Sequence, residues 1–134
     1  MLSDELKDSI REAYNAIIES KSLTPRWGQR QMIAEIANTL ARIPTTDDPG
    51  DGSPAVCVIE AGTGTGKTIA YAVAAIPIAR ALNKRLVVAT ATIALQEQFV
   101  NKDLPDIRES SGLSFSFALA KGRRRYVCLS KLDR

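Results

Sequence analysis

Leu6, Ile10, Ala13 and Ile17 recur three or four residues apart, and this spacing predicts an amphipathic helix over residues 4–20. Ser3 stands where a cap is expected, with Asp4 and Glu5 in the favourable first turn. After a short linker, Pro25 opens a second segment. Met32, Ile33, Ile36, Ala37 and Leu40 mark a helix from about Gly28 to Arg42. The pattern then lapses. Residues 44–54 are rich in Pro, Asp and Gly with no apolar anchor, and they read as a mobile surface connector. Beyond it the periodicity changes. Ala55–Ile59 is an apolar run of strand length, and Arg85–Ala89 is a second. Ser114–Leu119, where Phe115, Phe117 and Leu119 alternate with smaller residues, is a third. Between the first two, Lys67–Leu82 has almost no polar face and reads as a helix buried on most sides, kinked or split at Pro77. A further helix is expected at about Ile93–Lys102.

Apolar strands alternating with helices predict an α/β fold: a parallel sheet with helices on both faces, preceded by two helices. Right-handed crossovers would place the turn after the first strand at the carboxyl edge of that sheet, where ligands bind.

That turn carries the densest chemistry. Glu60-Ala61-Gly62-Thr63-Gly64-Thr65-Gly66-Lys67-Thr68 is a phosphate-binding loop of the Walker A type, with Ala61 in the slot where the strict pattern has Gly. Gly62, Gly64 and Gly66 lack a Cβ, so successive N–H groups can turn toward an anion. The helix after Gly66 adds its positive end. Lys67 supplies a cation to the β- and γ-phosphates, and the Thr68 hydroxyl a ligand for Mg²⁺. The bland alternative is a Gly/Thr-rich turn without a ligand.

Three other places invite a functional reading. Gln29 has a carboxamide that donates and accepts together, matching the edge of adenine. Taken alone, a glutamine on a helix is as readily a solvated side chain. Thr90, Thr92 and Gln96 follow the second apolar run, where they suit a nucleic-acid phosphate, and Thr92 serves equally as a helix cap. Cys57, inside an apolar run, reads as a small buried hydrophobe. Cys128 follows Lys121, Arg123, Arg124 and Arg125, a setting that favours thiolate. By composition it is an ordinary cysteine.

Composition narrows the classes. The chain has 134 residues, 45% hydrophobic and 25% charged, which suits one soluble domain or part of one. Two cysteines make no disulfide framework, and with no histidine there is no His-based metal site or general base. No apolar run has membrane-spanning length and the N-terminus has no signal-peptide core, so the expected location is cytoplasmic, away from membranes. The net charge of +3 arises at residues 121–134, where six basic side chains face Asp133 alone. Such a cluster suits a polyanion or forms a solvated tail.

With these segments placed, the chain resembles the N-terminal part of the DinG family of bacterial helicases, which are related to XPD-type iron–sulfur helicases. The resemblance rests on residues 25–33 (Pro-Arg-Trp-Gly-Gln-Arg-Gln-Met-Ile), the loop 60–68, residues 89–98 (Ala-Thr-Ala-Thr-Ile-Ala-Leu-Gln-Glu-Gln), Lys-Asp-Leu-Pro at 102–105, and residues 121–128 (Lys-Gly-Arg-Arg-Arg-Tyr-Val-Cys). Ala61 is usual for this group. The resemblance implies a partial RecA-like motor domain and ATP-dependent unwinding of DNA with 5′-to-3′ polarity, in DNA repair or replication. It implies a helix and linker over 1–24, the first part of motor domain 1 over 25–120, and the start of an iron–sulfur domain over 121–134.

It also assigns roles. Gln29 becomes the adenine reader, and Ala61, Gly62, Thr63, Gly64, Thr65, Gly66, Lys67 and Thr68 the ATP and Mg²⁺ site. Thr90, Thr92 and Gln96 become contacts to DNA, and Cys128 a ligand of a four-iron four-sulfur cluster. Single-stranded and forked DNA are the implied partners, with the protein a monomer. No acidic pair ends an apolar run, so the Walker B acid is missing, as are an arginine finger, a second motor lobe and three more cluster cysteines. These residues by themselves are expected to bind nucleotide weakly and not to turn it over. Competing readings are a small-molecule P-loop kinase, a binding module without turnover, and a helicase-like exonuclease, for which residues 1–24 are too few to form an N-terminal nuclease domain.

Overall fold

A computed structural model of the chain describes residues 2–45, 49–50 and 52–132. The expected loop at 44–54 therefore falls partly outside the described residues. The order is α1 (Asp4–Ser20), α2 (Trp27–Leu40), α3 (Lys67–Ala81) and α4 (Ile93–Gln98). A π-helical turn (Phe99–Asp103) leads into α5 (Leu104–Ser110), and a 3₁₀ turn (Arg123–Arg125) and α6 (Leu129–Leu132) follow.

Local signals set the helix ends. The Ser3 hydroxyl accepts from the Leu6 N–H at 3.3 Å, so α1 starts where its cap places it. Thr92 does the same for α4, accepting from Leu95 N–H at 3.2 Å. Gly66, at φ 77 and ψ 35, precedes α3 in the left-handed region. α3 is not split at Pro77; it runs through that residue as one helix, with the ring buried. Further on, Pro105 has no N–H to offer the turn before it. There the ladder widens, and the Leu104 N–H reaches the Phe99 carbonyl five residues back.

The core is made by helices. Ile10, Ala13, Tyr14, Ile17 and Ile18 of α1 pack with Met32, Ile33 and Ala37 of α2, with the apolar body of α3, and with Ile107 of α5. α3 is central, touching both α1 and α2. Its alanines suit that place, since Ala70, Ala72 and Ala74 are at most 1% exposed and let neighbouring helices come close. Lys21 at the end of α1 pairs with Asp106 of α5 at 2.6 Å.

The expected parallel sheet is absent. Among the described residues there is no strand, so the α/β, RecA-like reading of the architecture is corrected to a helical one. The runs 55–59, 85–89 and 114–119 carry no helical or strand assignment, and no backbone hydrogen bond joins one to another. The first two runs are not core either, with Val58 92% and Val87 85% exposed, while in the third Phe115 is half-buried against the helical core. The physical reason is the range of the interactions. A helix closes its hydrogen bonds within four residues, whereas a strand exists only when a partner lies about 4.8 Å away in register. Here the helices bury their stripes against one another, and the apolar runs find no such partner. Cys57 shares this fate and is exposed, not a buried hydrophobe. Among the described residues, no helix is long and apolar enough to cross a membrane.

Candidate functional site

The Gly-rich loop folds tightly against the start of α3. The Gly62 carbonyl accepts from the Thr65 N–H at 3.4 Å, the Thr65 hydroxyl at 2.8 Å and the Lys67 ammonium at 2.9 Å. Lys67 also donates to the Ala61 carbonyl at 2.8 Å. The lysine thus curls back over its own loop. Gly64 and Gly66 both sit at φ 77, which an L side chain adopts only with strain. α3 begins here without a side-chain cap, so its first N–H groups have no partner from within the helix. Thr68 lies in this first turn and shares a hydrogen bond with the Tyr71 hydroxyl. Burial pushes the Tyr71 phenol above its ordinary value, the Thr68 bond pulls it partly back, and the Asp103 charge adds to the rise.

α2 brings two polar side chains to the loop. Arg26, just before α2, donates to the Gly64 carbonyl at 2.6 Å. Gln29 is only 6% exposed, and its Nε2 donates to the Gly66 carbonyl at 3.1 Å. Its Oε1 accepts from the Tyr14 hydroxyl of α1 at 2.9 Å. Beside the loop, between α2 and residues 57–61, lies a cleft of about 590 Å³, lined in part by Arg26, Gln29, Met32, Glu35, Ile59 and Ala61. That volume is in the range of small-molecule sites. Two cations, a helix N-terminus and a partly apolar cleft together make a place suited to an anion attached to a flat apolar group.

Gln29 and the loop, read separately in the sequence, are therefore joined. Arg26 and Tyr14 were not singled out by sequence reasoning. For Tyr14 a signal existed: it lies four residues after Ile10 and three before Ile17, on the apolar face, where a buried phenol needs a partner.

The second group of candidates forms a separate cluster. The Thr90 hydroxyl bonds the Thr92 carbonyl at 3.3 Å, and the Thr92 hydroxyl is engaged as the α4 cap. Gln96 is clasped: its Oε1 accepts from Arg125 at 2.6 Å and its Nε2 reaches the Ala120 carbonyl at 3.4 Å. This ties the basic stretch 121–125 to α4. A larger groove of about 810 Å³ separates α3 from residues 84–90 and 114–120, and apolar side chains such as Ile76, Leu86, Phe99 and Phe115 are prominent in it.

Cys128 is exposed, with its Sγ 3.1 Å from the Ser130 hydroxyl. That hydrogen bond holds the thiol below its ordinary pKa of 9.0, burial opposes it, and backbone N–H groups at 130–131 assist. More thiolate is present at neutral pH than in a free cysteine. Iodoacetamide at about pH 7.5 is therefore expected to alkylate Cys128 faster than Cys57, and Ser130→Ala to slow it. Equal rates at the two cysteines, read by mass spectrometry, would contradict this. An iron–sulfur cluster takes four thiolates. Among the described residues no three His, Cys, Asp or Glu side chains gather as a metal site, so these residues do not by themselves complete a cluster.

No family model matches the chain. Curated proteins do. The chain is 43% identical over 134 residues, 99% of its length, to a protein named ATP-dependent DNA helicase DinG from Photobacterium profundum. It is 43% identical over 128 residues, 95% of its length, to a protein of the same name from Escherichia coli. It is 38% identical over 135 residues, 98% of its length, to ATP-dependent helicase DinG of Mycobacterium tuberculosis. The matched region covers 18%, 16% and 19% of these relatives respectively. Over nearly its whole length, then, the chain is homologous to one short segment of the DinG helicases.

Proposed function

We propose that this chain is a nucleotide-binding segment of an ATP-dependent DNA helicase, working 5′-to-3′ on single-stranded and forked DNA. The observation that carries the reading is the convergence of Arg26, Gln29 and Lys67 on one Gly-rich loop at a helix N-terminus, beside a cleft of small-molecule size. ATP supplies the free energy when bound. The chain's own residues bind and orient it. N–H groups of the loop and the first turn of α3 face the phosphates, and Lys67 exchanges the Ala61 and Gly62 carbonyls for phosphate oxygens. The Thr68 hydroxyl would be the Mg²⁺ ligand. Gln29 has one N–H and one lone pair beyond its two internal bonds, enough to read adenine. The names of the relatives, each an ATP-dependent helicase, support the choice of ATP.

Thr90, Thr92 and Gln96, with the basic stretch that Gln96 holds, form the proposed DNA contact, and the division at residues 24 and 120 belongs to the same reading. Cys128 would be one thiolate of a four-iron four-sulfur cluster. Three further ligands are required, and no step is assigned to it.

The test is titration with a fluorescent ATP analogue and Mg²⁺. Lys67→Ala is expected to weaken binding at least about tenfold, the scale of one lost charge-assisted contact to phosphate, with helix content unchanged. A titration in which Lys67→Ala matches the parent, or in which the parent does not bind, would refute the reading.

A further inference from the structure

We infer that Tyr14 is a positioning residue for the nucleotide loop, acting through Gln29 on the carbonyl of Gly66. The role rests on the nucleotide reading above, but the geometry behind it does not. Tyr14 is 5% and Gln29 6% exposed, so both polar groups are withdrawn from water and need partners. They find them in series. The Tyr14 hydroxyl meets Gln29 Oε1 at 2.9 Å, and Gln29 Nε2 meets the Gly66 carbonyl at 3.1 Å. The direction of the chain of bonds is set by chemistry. A carbonyl oxygen only accepts, so the NH₂ end of the carboxamide faces Gly66 and its oxygen faces Tyr14. The phenol is then the donor.

The fit is close at the far end. A Cβ built on Gly66 would collide with Gln29 Nε2. Gly66 is the residue before α3, and its carbonyl also accepts the Ala70 N–H at 3.1 Å. The bond from Gln29 therefore bears on the peptide plane between Gly66 and Lys67, the plane that orients the Lys67 N–H in the loop. In this way α1, distant from the loop in sequence, holds its last peptide in place. Loss of the Tyr14 hydroxyl frees the carboxamide to flip or rotate, since among the described residues the Tyr14 hydroxyl is the donor that restrains its oxygen.

Two measurements test this on the full chain. Tyr14→Phe keeps the ring in the core and removes only the hydroxyl. It is expected to shift the backbone amide resonances of Gly64–Thr68 and to weaken binding of inorganic tripolyphosphate, which has no base to be read, about fivefold, the scale of one hydrogen bond. Lys21→Met, which loosens α1 from α5 without touching Gln29, serves as the control and is expected to leave those resonances in place. Loop resonances unmoved by Tyr14→Phe, or moved equally by Lys21→Met, would overturn the role. If the parent chain does not bind tripolyphosphate, the nucleotide reading falls, and the resonances alone decide for or against the positioning of Gly66 by Tyr14.

Discussion

Gly66→Ala is expected to lose phosphate binding by more than about tenfold and to destabilise the chain by about 1–3 kcal/mol, two effects with one origin. At φ 77 an alanine is strained, and its Cβ would collide with Gln29 Nε2. Relief requires either that Gln29 withdraw, which breaks its bonds to Gly66 and Tyr14, or that the loop change its path. Gly64 provides the comparison. It has the same φ, but no atom lies within 4 Å of its would-be Cβ. Gly64→Ala should therefore show the conformational penalty alone, about 1–2 kcal/mol. Urea denaturation of both variants, with tripolyphosphate titration, separates the two contributions. Equal losses at the two glycines would mean that Gln29 does not crowd Gly66.

Ile17→Ala is expected to be the most destabilising simple truncation, at about 2–5 kcal/mol. Ile17 is 0% exposed and shares one apolar cluster with Val73 of α3 and Ile107 of α5. Removing its side chain leaves a cavity among helices whose backbones cannot all close in, so the transfer loss and the cavity add. Domains of this kind are stable by about 5–15 kcal/mol, so the loss is a large share of the whole. Val58→Ala is the informative partner. The apolar run 55–59 makes Val58 look like core, yet it is 92% exposed, and its truncation should change stability by less than about 0.5 kcal/mol. A large loss at Val58 with a small one at Ile17, read from the shift of the urea midpoint, would reverse the assignment of the core.

These two experiments bear on different parts of what could be read in advance. The helices were legible because their causes are local. Ser3 caps α1, the Leu6–Ile17 spacing turns one face inward, and Thr92 caps α4. The turn before α3 was legible for the same reason, since Gly64 and Gly66, both at positive φ, lie within a few residues of the helix start. The helix expected at 93–102 was right in place and incomplete in form: Pro105 turns its continuation into a π-helical turn before α5 resumes.

Gln29 was attractive as an adenine reader on chemistry alone, but its bonds to Tyr14 and Gly66 join residues 15 and 37 positions away. Such a bond leaves little trace in one sequence beyond a polar residue on an apolar face. Gln96, likewise expected to reach outward, is clasped by Arg125 and the Ala120 carbonyl.

By itself, the sequence determined where helices begin, which faces of α1 and α2 are apolar, and which short segment has the glycines to take positive φ before α3. Each follows from forces acting over a few residues: capping, side-chain periodicity, and glycine's access to positive φ. Only the tertiary structure decided that α1, α2 and α3 pack on one another, that the runs at 55–59, 85–89 and 114–119 stay unpaired, and that Tyr14 reaches the Gly-rich loop through Gln29. Those outcomes depend on which surfaces meet. An apolar residue is stabilised by any dry contact, and its identity does not specify the partner.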